Sequence, residues 1–109
     1  MKMQQLTTEQ LKQKMQNGED FVLDLFATWC GPCKVMLNNL SKVNESLINE
    51  SAGAPKYSIY KYDIDTDKEF VITELGIRSV PTIKIYKGGK EVFSRPGVMT
   101  PGEVLSLLD

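Results

Sequence analysis

The stretch FVLDLFATWCGPCK, residues 21–34, contains both cysteines of this 109-residue chain, Cys30 and Cys33. Its first seven residues form an apolar run of strand length, which is typical of a strand covered on both faces of a sheet. Asp24 is the only charged residue in that run. The stretch therefore predicts a buried strand that carries a carboxylate and leads directly to a closely spaced pair of thiols.

A strand–helix–strand unit surrounds the cysteines. Met36, Leu40, Val43 and Leu47 recur at steps of four, three and four residues, so one face of a helix meets the core. KYSIYKYDI (56–64) favours a second strand because it is rich in Tyr and Ile. A unit joined in this way requires a parallel pair of strands.

Two capping boxes mark further helices. Thr7 with Gln10 predicts a first helix that ends at Asn17-Gly18. Thr100 with Glu103, around a proline at the first helical position, predicts a C-terminal helix.

The remaining pattern is a short helix and a hairpin. DTDKEFVITELG (65–76) predicts a helix capped by Asp65 or Thr66 and stopped by Gly76. PTIKIYKGGKEVFS (81–94) predicts two antiparallel strands around a Gly-Gly turn. The elements together predict an α/β fold in which a mixed sheet has helices on both faces, built as a single domain over residues 1–109.

Composition limits the classes of partner. Lys plus Arg number 13 and Asp plus Glu number 14, so no basic excess points to a nucleic acid or an anionic membrane surface. The first twenty residues are polar and lack the apolar core of a secretory signal, and no apolar segment is long enough to span a bilayer. We therefore expect a cytoplasmic protein.

Three interpretations compete for the cysteine pair. A structural disulfide would close a loop of only about four residues and would remove only about 2 kcal/mol of chain entropy. A structural zinc site needs four ligands, and the chain has no histidine and no third cysteine to supply them. In a reducing compartment such a pair is more often catalytic or metal-binding than structural. Reversible dithiol chemistry is the interpretation that the context favours, because the pair lies just after a strand and at the start of a helix.

The position of the pair suits that chemistry. At the start of a helix, a thiol faces unpaired backbone N–H groups and the positive end of the helix dipole, which favour the thiolate. Lowering a cysteine pKa from about 8.5 to about 7 requires about 2 kcal/mol, of which the dipole supplies about 0.3–1. Direct hydrogen bonds to the sulfur must supply the rest. Pro32 stiffens the turn between the two sulfurs.

With WCGPCK in this setting, the chain resembles the thioredoxin family. The resemblance covers nearly the whole chain, through VLDLFATWCGPCK, KYDID (61–65), GIRSVPTI (76–83), the KGG turn, and Gly97 before the last helix. A C-x-x-C motif beside a βαβ pattern is typical of this family. The resemblance implies the thioredoxin fold, with a central mixed five-stranded sheet flanked by four helices.

The resemblance also implies catalytic roles. Cys30 would be the exposed nucleophile and Cys33 the buried resolving thiol. Asp24 would be a buried acid, and burial of a carboxylate raises its pKa toward neutrality, which suits a base that deprotonates Cys33. Lys61 would lie near Asp24 and tune its ionisation. The residues alone leave two alternatives open, a solvated Asp24 at a strand end and an ordinary surface lysine at position 61.

A substrate-docking surface follows from the same resemblance. Pro81 would be a cis proline that faces the sulfurs, and the backbone of Val80 would pair with an extended substrate segment. Without the motif, a trans proline at a strand end and a core tryptophan would be the ordinary interpretations. The docking surface would comprise six residues: Trp29, Gly31, Pro32, Val80, Pro81 and Gly97.

The leading functional hypothesis is a protein disulfide reductase that cycles between a Cys30–Cys33 disulfide and a dithiol. Its partners would be protein disulfide substrates and an electron donor, a flavin- and NADPH-dependent thioredoxin reductase. The chain has no glycine-rich dinucleotide loop, so we expect that it needs no cofactor. We also expect no metal and a monomeric state. A binding module with incidental thiols and an oxidase or isomerase remain as alternatives.

Three positions depart from the family pattern. Asn38 replaces a common proline, which predicts a straighter long helix, and Phe26 replaces a common tryptophan. Lys84 places a charge in a strand that the family keeps apolar, for which we expect a strand-end or snorkelling position.

Overall fold

The computed structural model describes residues 3–50 and 56–108, and this part of the chain contains five strands and four helices. The strands are β1 (Gln4–Gln5), β2 (Phe21–Phe26), β3 (Ser58–Asp63), β4 (Thr82–Lys87) and β5 (Lys90–Pro96). The helices are α1 (Thr8–Gln16), α2 (Gly31–Glu50), α3 (Lys68–Thr73) and α4 (Pro101–Leu108).

The strands form one mixed sheet in the order β1-β3-β2-β4-β5. Strand β2 is central, parallel to β3 and antiparallel to β4, while β1 extends the sheet in parallel beside β3. The five-stranded sheet flanked by four helices is therefore confirmed. Strand β1 has only two residues, which is too short for a hydrophobic alternation to reveal.

Helices cover the sheet on both faces. Residues of α2 and α4 pack with alternate positions of β2, β3 and β4, in a cluster that includes Val22, Met36, Leu40, Ile83 and Val104. Residues of α1 and α3 pack on the opposite face, in a cluster that includes Leu11, Leu23, Leu25, Tyr62 and Phe70. All six residues of β2 are buried as a result, as a strand covered on both faces requires.

The helix boundaries follow their caps. Thr7 and Gln10 exchange the two hydrogen bonds of a capping box, at 3.1 and 2.9 Å, and Thr100 and Glu103 do the same, at 3.2 and 3.0 Å. The predicted cap of α3 was wrong. Asp67, rather than Asp65 or Thr66, accepts the hydrogen bond from the backbone N–H of Phe70, at 3.1 Å, and so the helix begins one or two residues later than predicted.

The predicted hairpin is present, and its turn requires glycine. Gly88 and Gly89 both have positive φ, of 59° and 77°, as a tight two-residue turn demands. A Cβ atom on Gly89 would also collide with the carbonyl oxygen of Met15. The turn therefore packs against the end of α1 as well as joining β4 to β5.

Lys84 corrects one expectation and meets another. It lies in the middle of β4, not at a strand end, and is only 3% exposed. Its Nζ reaches the carboxylate of Glu91, which is 43% exposed, so the lysine does extend toward solvent. A bulge makes this pair possible. Tyr86 pairs with Glu91 instead of Val92, which moves Glu91 onto the face of the sheet that carries Lys84.

We expect Glu91→Gln to lower the free energy of unfolding by about 1–3 kcal/mol, because it leaves the buried Lys84 charge without its counterion. Urea denaturation measures this change. Glu19→Gln is the matched control, since it breaks the more exposed Lys14–Glu19 pair and should change stability by at most about 0.5 kcal/mol. Adding Lys84→Met to Glu91→Gln should recover most of the loss. Equal effects of the two glutamine variants would contradict this account.

Candidate active site

The two cysteines form a disulfide at the start of α2. Cys30 immediately precedes the first residue of the helix, and Cys33 lies in its first turn. The backbone N–H of Cys33 donates a hydrogen bond to the Cys30 Sγ at 3.2 Å. The first sulfur therefore has both a direct donor and the positive end of a 20-residue helix beside it, and both favour a sulfur anion once the disulfide is reduced.

Both cysteines belong to a small apolar cluster. They pack with Phe26 and Ala27, and Val80 packs against the same group. Cys30 is 6% exposed and Cys33 is 1% exposed. The expectation of an exposed Cys30 needs correction for this oxidised form, because the bond to Cys33 holds its sulfur against the cluster. Of the two sulfur-bearing residues, Cys30 is still the more accessible.

Asp24 lies in the centre of the sheet with no exposed surface. Neither of its carboxylate oxygens has a hydrogen-bond partner among the residues that the structure describes. Burial therefore raises the pKa of Asp24 from 3.8 to about 7, against an opposing effect of the Lys61 charge. This result excludes the alternative of a solvated carboxylate at a strand end.

Lys61 lies on β3 directly opposite Asp24 in the parallel register. Its Nζ lies 5.6 Å from the centre of the Phe26 ring, and the residue is half-buried. The positive charge lowers the pKa of Asp24, and this effect only partly offsets the burial of the carboxyl group. Strand register thus brings together two residues that lie 37 positions apart in the chain.

The six residues of the expected docking surface differ in exposure. Trp29 is 68% exposed, as a rim residue would be, and Gly31, Pro32 and Gly97 are also exposed. The peptide bond between Val80 and Pro81 is cis, as the resemblance implies. The backbone N–H of Gly97 donates to the carbonyl oxygen of Pro81 at 2.8 Å, which joins the loop before β4 to the end of β5.

Asp65, one of the two predicted caps of α3, does not cap that helix. Instead, its Oδ2 accepts a hydrogen bond from the Trp29 indole Nε1 at 2.9 Å. The contact spans 36 residues, and no local pattern indicates it. Trp29 is therefore held beside the cysteine motif by the loop that follows β3.

Two features are absent from residues 3–50 and 56–108. This part of the chain contains no group of three or more His, Cys, Asp or Glu side chains that could hold a metal ion. None of its helices is long and apolar enough to cross a membrane.

Comparison with known proteins agrees with this geometry, because the thioredoxin family model matches residues 2–109. The chain belongs to the thioredoxin family. The thioredoxin of Malassezia sympodialis is 32% identical to it over 84 residues, which cover 77% of this chain and 74% of that protein. The thioredoxin of Alicyclobacillus acidocaldarius is 33% identical over 87 residues, which cover 80% and 76%.

A solved structure shows the same likeness. The thioredoxin of Plasmodium falciparum superposes with a TM-score of 0.78 at 26% identity, and the match covers 96% of this chain and 95% of that one. Family membership and the Cys30–Cys33 disulfide together identify a thiol–disulfide oxidoreductase that acts by dithiol–disulfide exchange.

The raised pKa of Asp24 predicts a pH-dependent stability. Since the folded-state pKa is about 7 and the ordinary value is 3.8, the folded protein holds a proton that the unfolded chain loses between these values. The free energy of unfolding of the oxidised protein should therefore fall as pH rises from about 4 to about 7 and then level off, by at most about 4 kcal/mol from this group.

Asp24→Asn removes this titration. The free energy of unfolding of this variant should therefore rise relative to that of the parent as pH increases from about 4 to about 7. Urea denaturation at a series of pH values tests this, with the exposed Glu45→Gln of α2 as the control. A constant difference between Asp24→Asn and the parent at all pH values would show that Asp24 does not titrate there.

Proposed function

We propose that this thioredoxin-family protein reduces disulfide bonds in other proteins, with Cys30 as the nucleophile, Cys33 as the resolving thiol and Asp24 as the base. The observation that carries the proposal is the position of the Cys30 sulfur, which accepts a hydrogen bond from a backbone N–H at the amino end of α2. That environment stabilises the anion that exchange requires.

The first step is attack by the Cys30 thiolate on one sulfur of the target disulfide. A bond forms between Cys30 and the target, the target disulfide breaks, and the other target sulfur leaves as a thiolate that takes a proton from solvent. The more accessible of the two cysteines is the one suited to this intermolecular step.

In the second step, Cys33 attacks the Cys30 sulfur of the mixed disulfide. Cys33 first gives its proton to the Asp24 carboxylate, directly or through a water molecule, and the second target sulfur leaves as a thiolate. Two electrons have then passed to the target, and the Cys30–Cys33 disulfide has formed. A base with a pKa of about 7 suits this task because it is partly ionised at neutral pH yet basic enough to accept a proton.

The docking surface serves both steps in this proposal. Val80 packs against the cysteine cluster, so its backbone lies where it can pair with an extended segment of the target. Exposed apolar and backbone surface around the sulfurs comes from four further residues: Trp29, Gly31, Pro32 and Gly97.

The proposal also includes how the protein is regenerated and where it works. The oxidised form must be reduced by a separate enzyme, for which we propose a flavin- and NADPH-dependent thioredoxin reductase. A dithiol reductant persists where thiols are kept reduced, so we propose a cytoplasmic location. We also propose that the protein acts as a monomer. Reduction of the oxidised protein by NADPH plus such a reductase tests the electron donor. Thiol trapping in cell fractions tests the location, and analytical ultracentrifugation tests the oligomeric state.

The roles of the two cysteines predict different products. With insulin as substrate and dithiothreitol as reductant, Cys30→Ser should reduce insulin no faster than dithiothreitol alone. Cys33→Ser that has been reduced and freed of dithiothreitol before insulin is added should accumulate a mixed disulfide between Cys30 and the insulin chain, because the resolving attack is missing. Mass spectrometry detects that adduct. Activity above background in Cys30→Ser would rule out Cys30 as the nucleophile.

The role of Asp24 predicts a pH profile. The carboxylate accepts a proton only when ionised, so the rate of the resolving step in the parent should rise with pH through about 7. Asp24→Asn should lose that inflection and slow the step by about 100-fold at about pH 8, a typical general-base contribution. Stopped-flow release of a fluorescent thiol from the mixed disulfide measures the step. Retention of the inflection would assign the base to another group.

A further inference from the structure

A groove of about 400 Å³ lies between α3 and the loops at its two ends. Four aliphatic side chains line it, and two cationic side chains and one carboxylate complete the lining. The aliphatic residues are Ile64, Val71, Ile72 and Ile77, and the charged residues are Asp65, Lys68 and Arg78.

The groove is continuous with the site of exchange through two contacts. Ile64 lines the groove and also packs against the cluster that contains Cys30 and Cys33. Asp65 lines the groove and accepts the hydrogen bond from Trp29, the residue before Cys30. The groove therefore borders the surface that a polypeptide meets when its disulfide reaches Cys30.

Ile72 contributes an exposed aliphatic side chain to the wall of the groove. Its side chain is 66% exposed, similar to the 68% of Trp29 in the expected docking surface. An exposed aliphatic residue beside an apolar groove gains free energy when a partner covers it. The groove therefore suits an aliphatic side chain of a bound segment.

The lining of the groove carries two positive charges and one negative charge. Lys68 and Arg78 are both exposed, and neither takes part in an ion pair within residues 3–50 and 56–108. Asp65 is the only carboxylate in the lining, and its Oδ2 is directed at the Trp29 indole. Three nearby carboxylates, Asp67, Glu69 and Glu74, surround a separate pocket with Lys12 and Phe70, and the carboxylate of Asp63 accepts a hydrogen bond from the backbone N–H of Asp65.

We propose that this groove selects protein substrates in which an aliphatic residue and a carboxylate lie in sequence near the target disulfide. The aliphatic side chain would fill the groove, and Lys68 and Arg78 would bind the carboxylate. The inference rests on the proposed disulfide reductase function and adds the substrate class. Charge complementarity of this kind mainly accelerates the encounter and orients the partner.

Two matched peptide disulfides test the proposal. They share one sequence with an isoleucine near the cysteine and differ only in the neighbouring residues, two glutamates in one and two lysines in the other. The parent should reduce the acidic peptide with a kcat/KM about tenfold higher at low ionic strength. Lys68→Glu/Arg78→Glu should reverse this preference.

Two control variants separate the groove from general effects. Lys87→Glu/Lys90→Glu makes the same change in net charge on exposed residues of the β4–β5 hairpin and should keep the parental preference. Ile72→Ser should lower kcat/KM for the acidic peptide about threefold to tenfold through lost apolar contact. Val92→Ser removes an aliphatic residue of similar exposure, 58%, from the sheet edge and should have no such effect.

The outcomes are distinguishable. Equal reduction of both peptides by the parent, or an equal loss of preference in the hairpin control, would overturn the groove as a selecting site while leaving the reductase function intact. Reduction of neither peptide above the rate of Cys30→Ser would overturn the proposed function and this inference together. A reversed peptide preference that is seen only in Lys68→Glu/Arg78→Glu would support the groove as the selecting site.

Discussion

All six residues of β2 are buried, because α2 and α4 cover one face of this strand and α1 and α3 cover the other. The rest of the site depends on this double covering. It places Asp24 where its carboxylate oxygens are buried and have no hydrogen-bond partner among residues 3–50 and 56–108. It also fixes the point at which the chain leaves the sheet, so that the turn with Cys30 leads straight into α2.

Burial acts in opposite directions on the two kinds of acid in this protein. For Asp24 it removes water and supplies no hydrogen-bond donor, so the pKa rises to about 7 and the neutral form is favoured. For the Cys30 sulfur, the helix terminus and the Cys33 N–H replace the lost water with donors, so an anion is favoured. The protein therefore combines a sulfur position that favours an anion with a buried carboxyl group that can still carry a proton at neutral pH. This combination is what stepwise exchange between two thiols requires.

Much of this arrangement could be predicted from the sequence because it is local. The buried strand, the capping boxes of α1 and α4, the Gly-Gly hairpin and the thiols at a helix start all follow from residue spacing. Contacts set by register or by loops could not be predicted from residue spacing, and the pairing of Asp24 with Lys61 was expected from the family resemblance alone. The pairing of Asp65 with Trp29 and of Lys84 with Glu91 depends on where distant segments meet, and the second pairing also needs a bulge that no motif announces. The cap of α3 was misplaced because Asp65, Thr66 and Asp67 are all suitable residues.

The same distinction bears on how such a protein recognises its targets. Pairing with the backbone at Val80 carries no information about side chains, so on its own it would accept any extended segment that brings a disulfide to Cys30. Discrimination must then come from side chains next to that point. In the proposed selection, the groove beside α3 supplies these side chains: an exposed isoleucine and two cations that form no ion pair within residues 3–50 and 56–108. The hydrogen bond from Trp29 to Asp65 links this groove to the cysteine motif. Selectivity would then depend on a few residues of α3 and its flanking loops, while the exchange chemistry depends on the two cysteines and Asp24.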